Sequence, residues 1–230
     1  MSSPILDASL LAAGEGTSGI WTVVFVFVVV AGLALGFYAE AQRKKKLQAF
    51  AASRQLTYVA RDDRWVRIDT GYPHGQGGRS HRAKHVMTGQ HRGRPIVIFE
   101  HEWKTGSGKE TQTHQIRKTL MGLPKQFPKL ELGPEGIFGR AARRMGMKDI
   151  ELESDAFNQQ YRVAGDRRFA YDVLHPQFMQ WMLDTEAPGF TINGPYVALY
   201  GRGKIDTRML DQEVRYLDSI VDQLPGYVVG

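Results

Sequence analysis

The 230-residue sequence contains no cysteine. That excludes disulfides, thiolate zinc sites, iron–sulfur clusters and cysteine nucleophiles. Its 25 glycines and 10 prolines are too few and too aperiodic for a collagenous or linker chain. Apolar residues at 42% and charged residues at 23% belong to a chain that folds rather than a disordered one. Lysine and arginine are absent from the first 39 positions, where Asp7 and Glu15 are the only charges. No charge of either sign falls between Glu15 and Glu40.

That uncharged window holds a run from Ile20 to Tyr38 rich in valine and phenylalanine. At 1.5 Å rise per residue, about 20 residues cross a hydrocarbon core of about 30 Å. Valine and phenylalanine are poor helix formers in water, but in lipid the backbone must satisfy itself, so a helix is expected. Trp21 and Tyr38 mark the two ends, where amphipathic rings favour the interface. Arg43-Lys44-Lys45-Lys46 follows the run and nothing basic precedes it. The positive-inside rule therefore predicts a single-pass inner-membrane protein with its N-terminus outside and its C-terminal domain in the cytoplasm. A cleaved signal peptide needs a basic start, a shorter apolar core and a small-residue cleavage site. The flank here is acidic and the run ends as a stop-transfer signal does. The expected organisation is a short outer tail over 1–18, a membrane helix over 19–39 and a basic juxtamembrane helix over 40–54. A cytoplasmic domain follows over 55–230, divisible into 55–133 and 134–230.

The net charge of +6 is unevenly spread. Residues 40–148 carry 23 Lys or Arg against 9 Asp or Glu, and residues 149–230 carry 7 against 13. A basic middle suggests an anionic partner. Within the membrane reading that partner is the anionic inner leaflet, where each basic residue at the surface contributes about 1 kcal/mol. Arg43, Lys44, Lys45 and Lys46 are the first candidates for lipid contact. A second set lies on Ile137 to Met145, where a helix would gather Ile137, Phe138, Ala141, Ala142 and Met145 on one side. Arg140, Arg143 and Arg144 fall on the other, the pattern of a basic amphipathic helix at an interface.

Past the membrane the pattern is mixed. Leu56 to Val59, Arg82 to Gln90, Pro95 to Trp103 and Thr111 to Leu120 read as strands, with Gly93 and Gly106-Ser107-Gly108 as turns. Gly71 to Gly78 reads as a flexible loop. Asp149 to Leu152 and Gln160 to Ala164 are strand-like, and Phe190 to Asn193 with Tyr196 to Tyr200 suggest a hairpin around Gly194-Pro195. Pro176 suits a first helical residue. Leu210, Val214, Leu217, Val221 and Leu224 give the spacing of an amphipathic helix, capped at Asp206 or Thr207 and ended by Pro225-Gly226. The expected fold is α+β, an antiparallel sheet with a C-terminal amphipathic helix.

Two phrases then stand out. Glu153, Phe157, Asn158, Tyr161 and Val163 follow the pattern E-x-x-x-F-N-x-x-F/Y-x-V, and Leu174-His175-Pro176-Gln177-Phe178-Met179 follows L-x-P-x-F-M. In this order they resemble a family of uncharacterised bacterial membrane-anchored proteins, and the N-terminal helix is similar to that of actinobacterial members. The resemblance covers about residues 45–225 and is most specific over 149–183. It implies the anchored α+β architecture and a domain of unknown function. It supplies no catalytic residue, and Phe157, Tyr161 and Val163 read as apolar anchors.

Six of the seven histidines lie between His74 and His114. A turn centred on Arg92-Gly93 would set His85 opposite Glu100, and a turn centred on Ser107 would set Glu100 opposite His114. The same register aligns Met87, Ile98 and Ile116 as an apolar row. Cross-strand neighbours lie about 5 Å apart, so His85, Glu100 and His114 form the candidate metal-binding or acid–base set. A slip of one residue breaks it. The alternative for all six histidines is a polar, solvated surface.

Familiar catalytic motifs are missing. Gly75-Gln76-Gly77-Gly78 lacks the Gly-Lys-Ser/Thr of a phosphate loop. Gly106-Ser107-Gly108 lacks the spacing of a nucleophile elbow, and His101-Glu102 is not followed by the second histidine of a zinc protease helix. No catalytic residue, cofactor or resident metal is assigned. Arg79, Arg82, Lys84, Arg92 and Arg94 offer only a non-specific phosphate term to nucleic acid, with no recognition motif beside them. The expected role is a membrane-tethered binding or scaffold domain that contacts anionic lipid and a protein partner. The alternatives are a membrane-anchored enzyme or metal-binding domain at His85, Glu100 and His114, and an accessory subunit of a membrane complex.

Overall fold

The structure, a computed structural model, describes residues 15–75, 77–134 and 149–229. It divides into two compact units, 1–46 and 47–230. Helix α1 (Glu15–Ser53) contributes residues to both.

From Val23 to Phe37 the helix is apolar all round. An 18-residue window reaches a mean hydropathy of 2.4 with none of it buried. Trp21, Phe27 and Phe37 are each more than 70% exposed. A core helix of a soluble domain hides such a surface. This one is long and apolar enough to cross a membrane, by length and composition.

The second unit is an antiparallel sheet with helices, as the alternation predicts. Its strands are β1 (Thr57–Arg61), β2 (Arg79–His91), β3 (Arg94–Thr105), β4 (Gln112–Pro134), β5 (Tyr161–Gly165) and β6 (Phe190–Arg202). The order runs β1-β2-β3-β4-β5, with β6 also beside β4. The helices are α2 (Asp155–Gln160), α3 (Arg167–Val173), α4 (Pro176–Asp184), α5 (Thr207–Gln223) and α6 (Gly226–Val229).

Strand β4 organises the sheet. It does not stop at Leu120 but continues for 23 residues. Its first half pairs with β3 and β6, and its second half with β5 and β6. Pro124 and Pro128 are tolerated because the pairing with β6 is irregular from Gly122 through Phe127 to Leu130. No ladder hydrogen bond is demanded of them there. The same irregularity explains the other departure. Gly194-Pro195 does not turn a hairpin; it lies inside the single straight-through strand β6, with Gly194 at φ 58° opposite Phe127. Asp149 to Leu152 is not a strand, although Ile150 and Leu152 are buried.

The two phrases of the family resemblance are structural. The Ser154 side chain caps α2 by accepting from Phe157 N. Asn158 Oδ1 accepts from Leu152 N at 3.0 Å while its Nδ2 donates to Leu152 O at 2.7 Å, so one side chain imitates a strand partner. Phe157 stacks on Tyr161 at 4.8 Å, and the Tyr161 hydroxyl donates to Ala187 O at 2.8 Å. Pro176 occupies the first turn of α4. In α5, Asp206 provides the cap and Leu210, Leu217 and Val221 are fully buried. These helices cover one sheet face over a core of Met121, Leu130, Leu132, Phe178, Phe190 and their neighbours.

Candidate functional site

The predicted trio does not assemble. The β2–β3 turn sets Met87 opposite Ile98 as expected, but a β-bulge between Lys84 and Met87 then shifts the register. His85 sits in that bulge at φ 51°, so Lys84 rather than His85 faces Glu100. The β3–β4 turn is longer than expected because Gly108–Glu110 forms a 3-10 turn. Glu100 therefore pairs with Arg117, and His114 pairs with Trp103. The offset is odd, so His114 and Glu100 point to opposite faces. Ile116 likewise sits opposite His101, not Ile98. Each member has a local partner instead: His85 Nδ1 meets the Tyr58 hydroxyl at 2.7 Å, and His114 Nε2 meets the Thr105 hydroxyl at 2.6 Å. Buried Glu100 accepts from Ile205 N at 2.7 Å and Gln115 Nε2 at 2.6 Å. Among the described residues no group of three or more His, Asp or Glu is placed to hold a metal ion.

The lipid-contact candidates divide. Lys44, Lys45 and Lys46 are exposed, and Arg43 pairs with Glu40 at 3.3 Å. Arg140, Arg143 and Arg144 lie outside the described residues. Within the second unit, part of the basic middle meets the acidic end of the same chain. Arg54 pairs with Asp211, Arg117 with Glu213 at 2.5 Å, His91 with Asp218 at 2.7 Å, and Arg92 lies 3.7 Å from Asp218. The three acidic partners, Asp211, Glu213 and Asp218, all lie on α5. Of the basic residues weighed for nucleic acid, Lys84 also pairs with Glu102 at 2.6 Å and Arg79 donates to Thr111 at 3.1 Å.

What the sequence did not suggest is a buried polar cluster on the sheet face away from the helices. Cross-strand pairs place Val97 with Leu120, Phe99 with Lys118, His101 with Ile116 and Trp103 with His114 on that face. The connection between β1 and β2 folds over it, with Trp65 against Phe99 and Tyr196, and Tyr72 against Trp103 and Tyr200. At the centre, Lys118 is 1% exposed. Its ammonium donates to Thr70 Oγ1 at 2.7 Å, Thr70 O at 3.0 Å and Gly71 O at 3.3 Å. Burial pushes Lys118 down to about 7, against the pull of Asp69 and Glu131. Lys129 bonds Asp69 at 3.0 Å, and Asn193 Nδ2 donates to Asp69 O at 2.8 Å. Burial raises Glu131, 2% exposed and 3.6 Å from Lys129. Gly71 is required where the strap touches down: it has φ 80°, and a Cβ there would lie 2.3 Å from Thr191 Oγ1.

Lys118 is sealed beneath the strap, so its work is to hold that strap. Beside it a cavity of about 460 Å³ opens to solvent, lined by Asp63, Arg67, His74, His81, His101 and neighbouring glycines. His81 Nδ1 and His101 Nε2 are 2.9 Å apart. Burial, then Lys118, His81 and His74, push the His101 imidazole down to about 3, so it is neutral. On the helical side a groove of about 600 Å³ runs along α5, with Trp181 stacked on Tyr216 at 5.6 Å and Met209 at its rim.

No family model matches the chain, and no curated protein sequence matches it. A solved structure does match: the mycobacterial trehalose monomycolate transport factor A, TtfA, aligns with a TM-score of 0.54 at 14% identity. The alignment covers 79% of this chain and 96% of that one. At that identity the likeness is one of fold: this chain has the fold of a mycobacterial transport factor joined to one apolar N-terminal helix.

Proposed function

We propose that this protein is a single-pass membrane protein whose cytoplasmic α+β domain serves as an accessory or scaffold factor for a membrane transport assembly. The observation that carries this reading is the pairing of the exposed apolar helix with a domain of transport-factor fold. The basic residues Arg43 to Lys46 support a cytoplasmic position for that domain and contact with anionic lipid. Tethering raises the local concentration of the domain at whatever membrane protein it serves. By analogy with the named neighbour, a trehalose monomycolate transport factor, the cargo class is a glycolipid. The α5 groove, with its paired aromatic rings, has the composition of a protein-contact surface.

The test is chemical crosslinking in native membranes, followed by affinity purification of the full chain and native gels. The expected outcome is stoichiometric recovery of one integral membrane transport protein, lost when Trp181→Ala and Tyr216→Ala are combined. Migration as a lone species after crosslinking overturns the scaffold reading.

A further inference from the structure

We propose that the cavity under the β1–β2 connection binds a phosphomonoester or free phosphate, held by Arg67, His74 and His81 with His101 as the wall behind them. This site uses none of the residues Arg43 to Lys46 and does not depend on the lipid contact proposed above.

The lining favours an anion. It presents one guanidinium and three imidazoles against a single carboxylate, that of Asp63. Asp63 is already engaged: Arg61 Nε donates to it at 2.8 Å and Ala83 N at 3.0 Å. Arg67 is exposed at the cavity, and its guanidinium has no ion-pair partner among the described residues. Gly75 and Gly77 complete the wall at φ 75° and 77°, and the space beside the Gly77 Cβ position is open for 4 Å. A ligand can therefore approach the backbone there. The volume is in the range of small-ligand sites, larger than a phosphoryl group alone requires.

The second observation is a buried atom without a partner. His101 is 2% exposed and lines the cavity, yet its Nδ1 makes no hydrogen bond. Nε2 of the same ring is occupied by His81 Nδ1. When His81 is protonated, its Nδ1–H must donate to His101 Nε2, which forces the proton of neutral His101 onto Nδ1. The pair then carries one positive charge and one unsatisfied buried donor at the cavity wall. An oxyanion in the cavity balances that charge. The other groups facing this pair are Asp63 and His74 from the strap and Lys118 from β4. Apart from the compensated Asp63 they are basic, which favours an anion over a cation in the cavity.

The experiment uses the full chain in nanodiscs of zwitterionic lipid, with histidine ring carbons labelled. Inorganic phosphate and glycerol 3-phosphate are titrated in, and a parallel nanodisc contains phosphatidic acid. Saturable shifts of the His81 and His101 ring signals are expected. Arg67→Ala and His81→Gln each weaken binding about tenfold, the loss of one charge-assisted hydrogen bond. Arg67→Lys retains most of the affinity, and Arg92→Ala, paired elsewhere with Asp218, changes nothing. Saturation by the soluble probes identifies a soluble phosphomonoester; shifts confined to the phosphatidic acid nanodisc identify a lipid headgroup. Absence of shifts in every arm, or shifts that survive both Arg67→Ala and His81→Gln, overturns the proposal.

Discussion

Two buried bases on one sheet face make the folded chain sensitive to pH. His101 is held neutral down to about 3 in the fold, whereas an unfolded imidazole takes its proton near 6.5. Below that value the unfolded state binds the extra proton, so stability is complete above about pH 6.5 and drains away toward pH 3. Lys118 follows the same sign on the alkaline side. Its ammonium loses its proton near 7 in the fold and near 10.5 when unfolded, so stability also gains between those values. Glu131, raised by burial, works in the opposite direction above the ordinary carboxylate range. In the acid range from pH 4 to 6.5 His101 contributes a positive slope that Glu131 opposes. Across that range the thermal midpoint of the full chain in detergent should rise more steeply with pH than that of His101→Gln. An acid limb of equal steepness in the variant would contradict the burial argument.

At the scale of elements, the strap between β1 and β2 depends on how closely its backbone reaches the sheet. Gly71→Ala places a Cβ into Thr191 Oγ1 and keeps an L-residue at φ 80°. The combined strain and overpacking should cost about 2–5 kcal/mol. Gly203→Ala is the control, because it has a similar φ of 78° with no atom within 4 Å of the new methyl. It should cost only about 1 kcal/mol. Denaturant unfolding of the two variants separates contact from backbone preference; equal costs would mean that the strap does not press on the sheet. Elements with a strong period were legible in the sequence. The five-residue stripe of α5, its Asp206 cap, Pro176 at the start of α4 and the β2–β3 turn all follow from local chemistry. Register was legible only as far as the turn geometry was. One bulge at His85 and a 3-10 turn at Gly108–Glu110 moved Glu100 away from both histidines. Pro195 in β6 misled for a related reason: a Gly-Pro pair reads as a turn unless it lies where strand pairing is already interrupted. The Lys118 cluster left no local trace, since its members Asp69, Lys118, Glu131 and Asn193 meet only through the fold.

At the scale of the whole molecule, charge distribution divides into a part spent inside the second unit and a part left over. The acidic face of α5 pairs with Arg54, His91, Arg92 and Arg117, so the basic excess read along the chain overstates what an outside anion meets. Lys44, Lys45 and Lys46 are different: they stay exposed, directly after an apolar segment in which no charge interrupts residues 16–39. In the proposed single-pass reading they decide which way the segment threads, because moving several cations across the bilayer is far costlier than moving Asp7, Glu15 and their uncharged neighbours. An alkaline phosphatase fused after Gly230 reports this directly, being active only outside the cytoplasm. The unaltered chain should give an inactive fusion. Replacing Arg43 and Lys44 to Lys46 by Gln, together with Gly16→Arg, Thr17→Lys and Ser18→Lys, should turn the fusion active in a large share of molecules. An active fusion on the unaltered chain would put the sheet, its strap and its cavity on the other side of the membrane, and the leaflet against which Arg43 to Lys46 act would have to be the outer one.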